Sequence, residues 1–202
     1  MFPSLLPDPQ APHLCEARLS SDSVYRGHFL HVRRDRVRLP DGDQSVREYI
    51  VHPGAVMVVP LLDDGQLVVE RQYRYPVQTA MIEFPAGKLE PGEPVLDCAR
   101  RELFEETGYR AREWARAGRL HPTIAYSDEC IEIWFARGLS LGERQLDQGE
   151  FLDVLTLTPA ELLQACRDGT VTDGKTLTAT LWLQNVLSGA WPLDWQVVAD
   201  PV

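Results

Sequence analysis

Apolar residues recur at two periods along this chain, near two in several short stretches and near 3.6 in three longer ones. After a proline-rich start, "SVYRGHFLHVRRDRVRLPDGDQSVREYIV" reads as strands joined through the turn Pro40-Asp41-Gly42. "GAVMVVPLL" and "QLVVERQYR" flank the turn "DDG" as a second hairpin, and "AMIEFPAG" adds a short strand. Further on, "ECIEIWFARGL" sets Ile131, Ile133 and Phe135 against Glu132, Trp134 and Ala136, the alternation of a strand with two unlike faces. "FLDVLTLT" is another strand. Helical spacing begins after Pro94 and stops at Gly108, a residue free to take the left-handed cap conformation. Thr158 and Glu161 make a capping box around Pro159 and open a second helix that ends at Gly169. A third runs from about Asp173 to Leu187, and the tail "AWPLDWQVVADPV" carries no assignment. Strands first, a helix in the middle and helices late predict an α/β sandwich around a mixed sheet, with a separable N-terminal β-hairpin. The expected boundaries are 1–52 for leader and hairpin, 53–190 for the main domain and 191–202 for the tail.

Composition narrows the function classes. The 202 residues, 44% hydrophobic and 25% charged, are those of a soluble protein with room for a sizeable core. A net charge of −10 argues against a general nucleic-acid binder, but a metal can supply positive charge locally to a small phosphorylated substrate. Cys15, Cys98, Cys130 and Cys166 form no CxxC pair and read as reduced thiols, and the five histidines show no ligand spacing. The start has no basic segment followed by a long apolar one, and "GAVMVVPLL" is too short to span a bilayer. The expectation is a cytoplasmic protein with no membrane partner.

The first helix raises a sharper question. On it, Val95, Leu96, Ala99 and Leu103 share one face, and Glu102 and Glu106 sit on the border of that apolar stripe. Glu105 lies further round, within reach of Arg101 at i−4. Two carboxylates at the edge of a core repel each other and resist desolvation unless a cation lies between them. Hard oxygen ligands select Mg²⁺ or Mn²⁺. The plainer reading is a surface helix decorated with i,i+4 charge pairs.

The surrounding spacing favours the cation. Gly87, five residues to Glu93 and seven more to "RELFEETGY" make the pattern G-x5-E-x7-R-E-U-x-E-E-x-G-U, with U bulky and apolar. This resembles the Nudix box, with Tyr109 an aromatic at the last apolar position. The resemblance implies a Nudix-type α/β/α sandwich and divalent-metal hydrolysis of a nucleoside diphosphate linked to another moiety. It makes Glu102 and Glu106 the principal metal ligands, Glu105 a further or water-mediated one, and the Ala86 carbonyl a fourth donor. Glu93 and Arg101 would brace the loop and orient the ligands.

The likeness extends over roughly Tyr25 to Leu187, and "REYIVHPGAVMVVPLL" with "VERQYRYPV" and "MIEFPAGKLEPGE" is similar to the ADP-ribose pyrophosphatase branch. That branch implies substrate contacts from Arg47 and Arg74, whose planar forks suit phosphate or a base. Glu83 either brackets the substrate or pairs with a basic neighbour, and Glu129 matches the branch in "YSDE". Ile124 and Ala125 depart from its usual proline and glycine, and Tyr126 does not discriminate between branches. The branch's acidic loop implies a glutamate that activates water. Gln148 stands at one such position, so Glu150 is the first candidate, with Glu143 and Glu105 behind it. The resemblance also suggests a homodimer in which Phe29, read as a strand residue, stacks on adenine or fills a core. The expected reaction is Mg²⁺-dependent cleavage of ADP-ribose to AMP and ribose 5-phosphate. Rival readings are a Nudix hydrolase of diadenosine polyphosphates, GDP-sugars or NADH, and a non-enzymatic ligand sensor on the same fold.

Overall fold

The computed structural model describes residues 11–146 and 148–199; the start of the leader and the end of the tail lie outside the described residues. The chain divides into two units, one made of the described residues up to His52 with Thr123–Asp128, the other of Pro53–Pro122 and the described residues from Glu129 on.

In the first unit, β1 (Ala17–Arg26), β2 (His31–Arg38) and β3 (Gln44–Ile50) form an antiparallel sheet in that order. The expected hairpin is β2–β3. Its turn closes with the Leu39 amide donating to Asp43 O at 2.8 Å, and Gly42 takes φ 97°. β1 extends it to three strands. Its sequence, "ARLSSDSVYR", has no clean alternation, and nine of its ten residues are exposed. Thr123–Asp128 joins this unit through the Ile50 amide to Tyr126 O and the His52 amide to Asp128 Oδ1, both 2.8 Å.

The second unit is built on β4 (Ala55–Leu61), β5 (Leu67–Arg74), β6 (Thr79–Glu83), β7 (Ala86–Lys88), β8 (Tyr109–Leu120), β9 (Ile131–Leu141), β10 (Leu152–Leu157) and β11 (Gln196–Val197). The sheet runs β10-β5-β4-β9-β8-β11, with β6 on β5 and β7 on β4. β4 and β9 are parallel and the other pairs antiparallel, a mixed sheet. Alternate residues of β4 serve opposite faces. Val56 and Val58 pack on Cys98, Ala99 and Leu103 of α1 (Val95–Thr107). Met57 and Val59 pack with Leu162 of α2 (Pro159–Arg167) and with Ala179 and Leu183 of α3 (Gly174–Leu187). Helices on both faces make an α/β/α sandwich.

Helix ends fall where the residue chemistry places them. Gly108 caps α1 in the left-handed conformation, the Thr158–Glu161 capping box opens α2, and Asp173 caps α3 through the Thr176 amide. Three elements differ from the expectation. "AMIEFPAG" is two strands, because Pro85 has no N–H for a ladder and the chain changes partner there from β5 to β4. β8 has no counterpart in the sequence reading: it is rich in arginine and carries a register shift between Arg116 and Gly118, which breaks period two. The tail supplies β11 beside β8.

Candidate active site

The apolar face of α1 fixes the helix's rotation, and that rotation brings two carboxylates to the β7 backbone. Glu106 is 4% exposed and accepts the Ala86 amide at 3.0 Å. The Glu102 carboxyl lies directly over Gly87, where a Cβ would stand 1.9 Å from Glu102 Cδ. Burial, opposed by Arg101 and reinforced by Glu105 and Glu150, pushes Glu102 up to about 7. Burial also raises Glu106 well above the usual range, with Glu70, Glu102 and Glu150 adding to it.

Arg101 braces this edge. Its Nε and Nη2 donate to Glu93 at 2.8 and 2.9 Å, and its Nη1 donates to Glu102 at 2.8 Å and Glu105 at 3.0 Å. Nη2 also reaches Lys88 O at 3.2 Å, tying the helix to the end of β7. The Arg101 contact is the main reason that Glu93 drops to about 2. The loop after β9 brings Glu150 close enough to raise both Glu102 and Glu106, while Glu143 and Gln148 of the same loop are exposed.

Behind the carboxylates lies a set of charges, two of which the sequence reading missed. Glu70 and Glu83 face each other across β5 and β6, 0% and 1% exposed. Glu83 accepts Arg74 Nε at 2.7 Å and Nη2 at 2.8 Å, and also Lys175 Nζ. Burial alone would raise Glu83; Arg74 and Lys175 outweigh it and hold it below the usual value. Neither Glu70 oxygen has a hydrogen-bond partner among the described residues, and burial with the Glu83 charge pushes it up to about 7. A glutamate inside an apolar strand drew attention at Glu83, and the same signal was present at Glu70 in "LVVE". Lys175 sits in the first turn of α3, the positive end of a helix, an unfavourable place for a cation that also could have flagged it.

Of the remaining sequence candidates, Arg47 and Phe29 belong to the first unit and Glu129 to the second. Arg47, on β3, is held by Glu16 (Nε–Oε2 2.9 Å), Ser45 Oγ and the Val46 carbonyl. Phe29 is not in a strand: it stands in the turn between β1 and β2 and is 64% exposed, because "RGHFLH" reverses the chain there. Glu129 is half-buried just before β9, its carbonyl 3.2 Å from His121 Nδ1.

The donor set suits a hard divalent cation: desolvated carboxylates with raised pKa, two orphaned Glu70 oxygens, and a glycine that leaves room for Glu102 against the backbone. Among the described residues, no three acidic, imidazole or thiol groups already converge on one point. Arg101 occupies oxygens of Glu102 and Glu105, and the Ala86 amide occupies one of Glu106.

Residues 51–179 match the model of the NUDIX domain. The chain belongs to the Nudix family. Residues 16–50 of this Nudix protein match a nucleoside diphosphate sugar hydrolase N-terminal domain. It is 38% identical to the methanol dehydrogenase activator of Bacillus methanolicus over 84% of this chain and 92% of that one. Identity to the ADP-ribose pyrophosphatase of Bacillus subtilis is 35%, with the same coverage. Among solved structures, an ADP compounds hydrolase superposes with a TM-score of 0.79 at 25% identity, covering 88% of this chain and 97% of the other. Glu102, Glu105 and Glu106 of α1 lie within the residues that match the NUDIX domain.

Proposed function

We propose that this Nudix hydrolase cleaves the diphosphate bond of ADP-ribose, and of other ADP-sugars less well, giving AMP and a sugar phosphate. The observation that carries the reading is the placement of desolvated Glu102 and Glu106 on the Ala86–Gly87 backbone beside Glu150, in a chain 35% identical to an ADP-ribose pyrophosphatase. Glu102, Glu106 and the Ala86 carbonyl would hold Mg²⁺, for which Mn²⁺ substitutes, with Glu105 as a further ligand. A divalent cation there supplies a Lewis acid that offsets diphosphate charge and acidifies water. Arg74 has its Nε and Nη2 on Glu83, which leaves the Nη1 edge for a phosphate oxygen. Glu150 accepts the proton of the attacking water. Arg101 holds Glu93, Glu102 and Glu105 in place while this happens.

The proposal includes a homodimer in the cytoplasm. All four cysteines are free thiols, as a reducing compartment keeps them, and no helix among the described residues is long and apolar enough to cross a membrane. Measuring kcat/KM for ADP-ribose, ADP-glucose and ADP-mannose beside diadenosine tetraphosphate, GDP-mannose and NADH tests the substrate. ADP-ribose should rank first, with ADP-glucose or ADP-mannose cleaved detectably, since the changes at Ile124 and Ala125 relax sugar discrimination more than ADP recognition. A dinucleoside polyphosphate that wins by about tenfold would overturn the assignment.

A further inference from the structure

We propose that Lys175 is a positioning residue for substrate binding: it holds Glu83 from the α3 side so that Arg74 keeps one edge of its guanidinium turned to the diphosphate. The inference rests on the reading of Arg74 as the phosphate-steadying residue.

With Asp173, the three side chains form a line of four alternating charges that begins at the cap of α3. Asp173 accepts Lys175 Nζ at 3.1 Å, Lys175 also reaches Glu83 Oε2, and Glu83 takes the Nε–Nη2 edge of Arg74. Glu83 is its buried point and Arg74 its exposed end. The Glu83 side chain is 2% exposed and Lys175 14%, whereas Arg74 is 39% exposed. If Arg74 alone balanced Glu83, compensation of a buried carboxylate would depend on a half-exposed side chain that must also serve a ligand. Each excursion of Arg74 toward phosphate would strand a buried charge. Lys175 removes that conflict. It costs something locally, since a cation in the first turn of α3 opposes the helix dipole, and Asp173 with Glu83 offsets this. The same turn holds the next residue as well: Thr176 Oγ1 accepts the Phe84 amide at 3.1 Å in the core. The first turn of α3 thus grips Glu83–Phe84 at two successive points, and Arg74 is aimed through Glu83.

The test is a double-mutant cycle read by binding, using the non-hydrolysable α,β-methylene analogue of ADP-ribose with Mg²⁺ in calorimetry. Lys175→Met should weaken binding about tenfold in the wild-type background and less than about twofold in Glu83→Gln, where no buried charge remains to be held. In steady state, KM should rise for Lys175→Met while kcat stays within about threefold. Equal losses in both backgrounds would overturn the inference. Should Lys175→Met fail to fold, the Glu83→Gln/Lys175→Met variant, which leaves neither charge, decides it. Binding equal to Glu83→Gln supports the coupling, and a further tenfold loss refutes it. Arg74→Gln separates the two readings. Unchanged binding there refutes the role of Arg74 and the route from Lys175 with it; weakened binding beside an unaffected Lys175→Met refutes the role of Lys175 alone.

Discussion

A methyl group added at Gly87 would sit 1.9 Å from Glu102 Cδ. The obstructing atoms are the end of a flexible side chain, so the fold can relax while the carboxylate cannot keep its place. Gly87→Ala is therefore expected to change stability by less than about 1 kcal/mol and to weaken Mg²⁺ binding about tenfold or more, measured by calorimetry. Normal affinity in a folded variant would show that Glu102 works from another position. Glu102→Gln and Glu106→Gln should each lower kcat by roughly 10²-fold or more with the fold retained, as transition-state electrostatic stabilisation is lost. Near-normal turnover in both would end the metal-site reading. For the proton acceptor, Glu150→Gln should lower kcat by about 10–10³-fold with little change in metal affinity. A silent Glu150→Gln beside a crippled Glu105→Gln would move the base onto the helix, where Arg101 now holds Glu105 at 3.0 Å.

α1 was the element most legible in the sequence, since Pro94, the apolar face and Gly108 all mark it and the box spacing falls on it. β8 was not, because arginines at both parities and a register shift hide its period. Glu70 and Lys175 were missed for a different reason: their meaning depends on Glu83 and Glu106, brought close only by the tertiary fold. α1 also carries a consequence for pH. In the metal-free protein Glu102 is raised from 4.5 to about 7, Glu70 likewise, and Glu106 is raised too. Between these values the folded state binds more protons than the unfolded chain, so its stability falls as pH rises from 4.5 to 7. Glu93, held down at about 2, acts in the opposite sense but below that window. The Tm of chelator-treated protein should drop by a few degrees between pH 5 and 8, and Mg²⁺ should restore more at pH 8 than at pH 5. A metal-free Tm that climbs steadily across that range would contradict the raised carboxylates.

At the scale of the whole molecule, the N-terminal sheet stands out for its thin interior. Asp35 and Val37 are its deeply buried positions among the described strand residues, while Leu19, Val24, Tyr25 and Val46 are exposed, with Phe29 and Leu30 in the turn. A three-stranded sheet with so little interior does not make an independently stable core. In the proposed homodimer these apolar side chains would meet a second copy of this chain. The intact protein should then sediment at about twice its 22.8 kDa chain mass. Deletion through Val46 should give monomers or poorly soluble protein, with ADP-ribose binding weakened because Phe29 is removed with the sheet. The outcome that refutes this is a deletion variant that is monomeric and cleaves ADP-ribose at the full rate, since the box, Glu150 and Arg74 would then suffice without the N-terminal sheet.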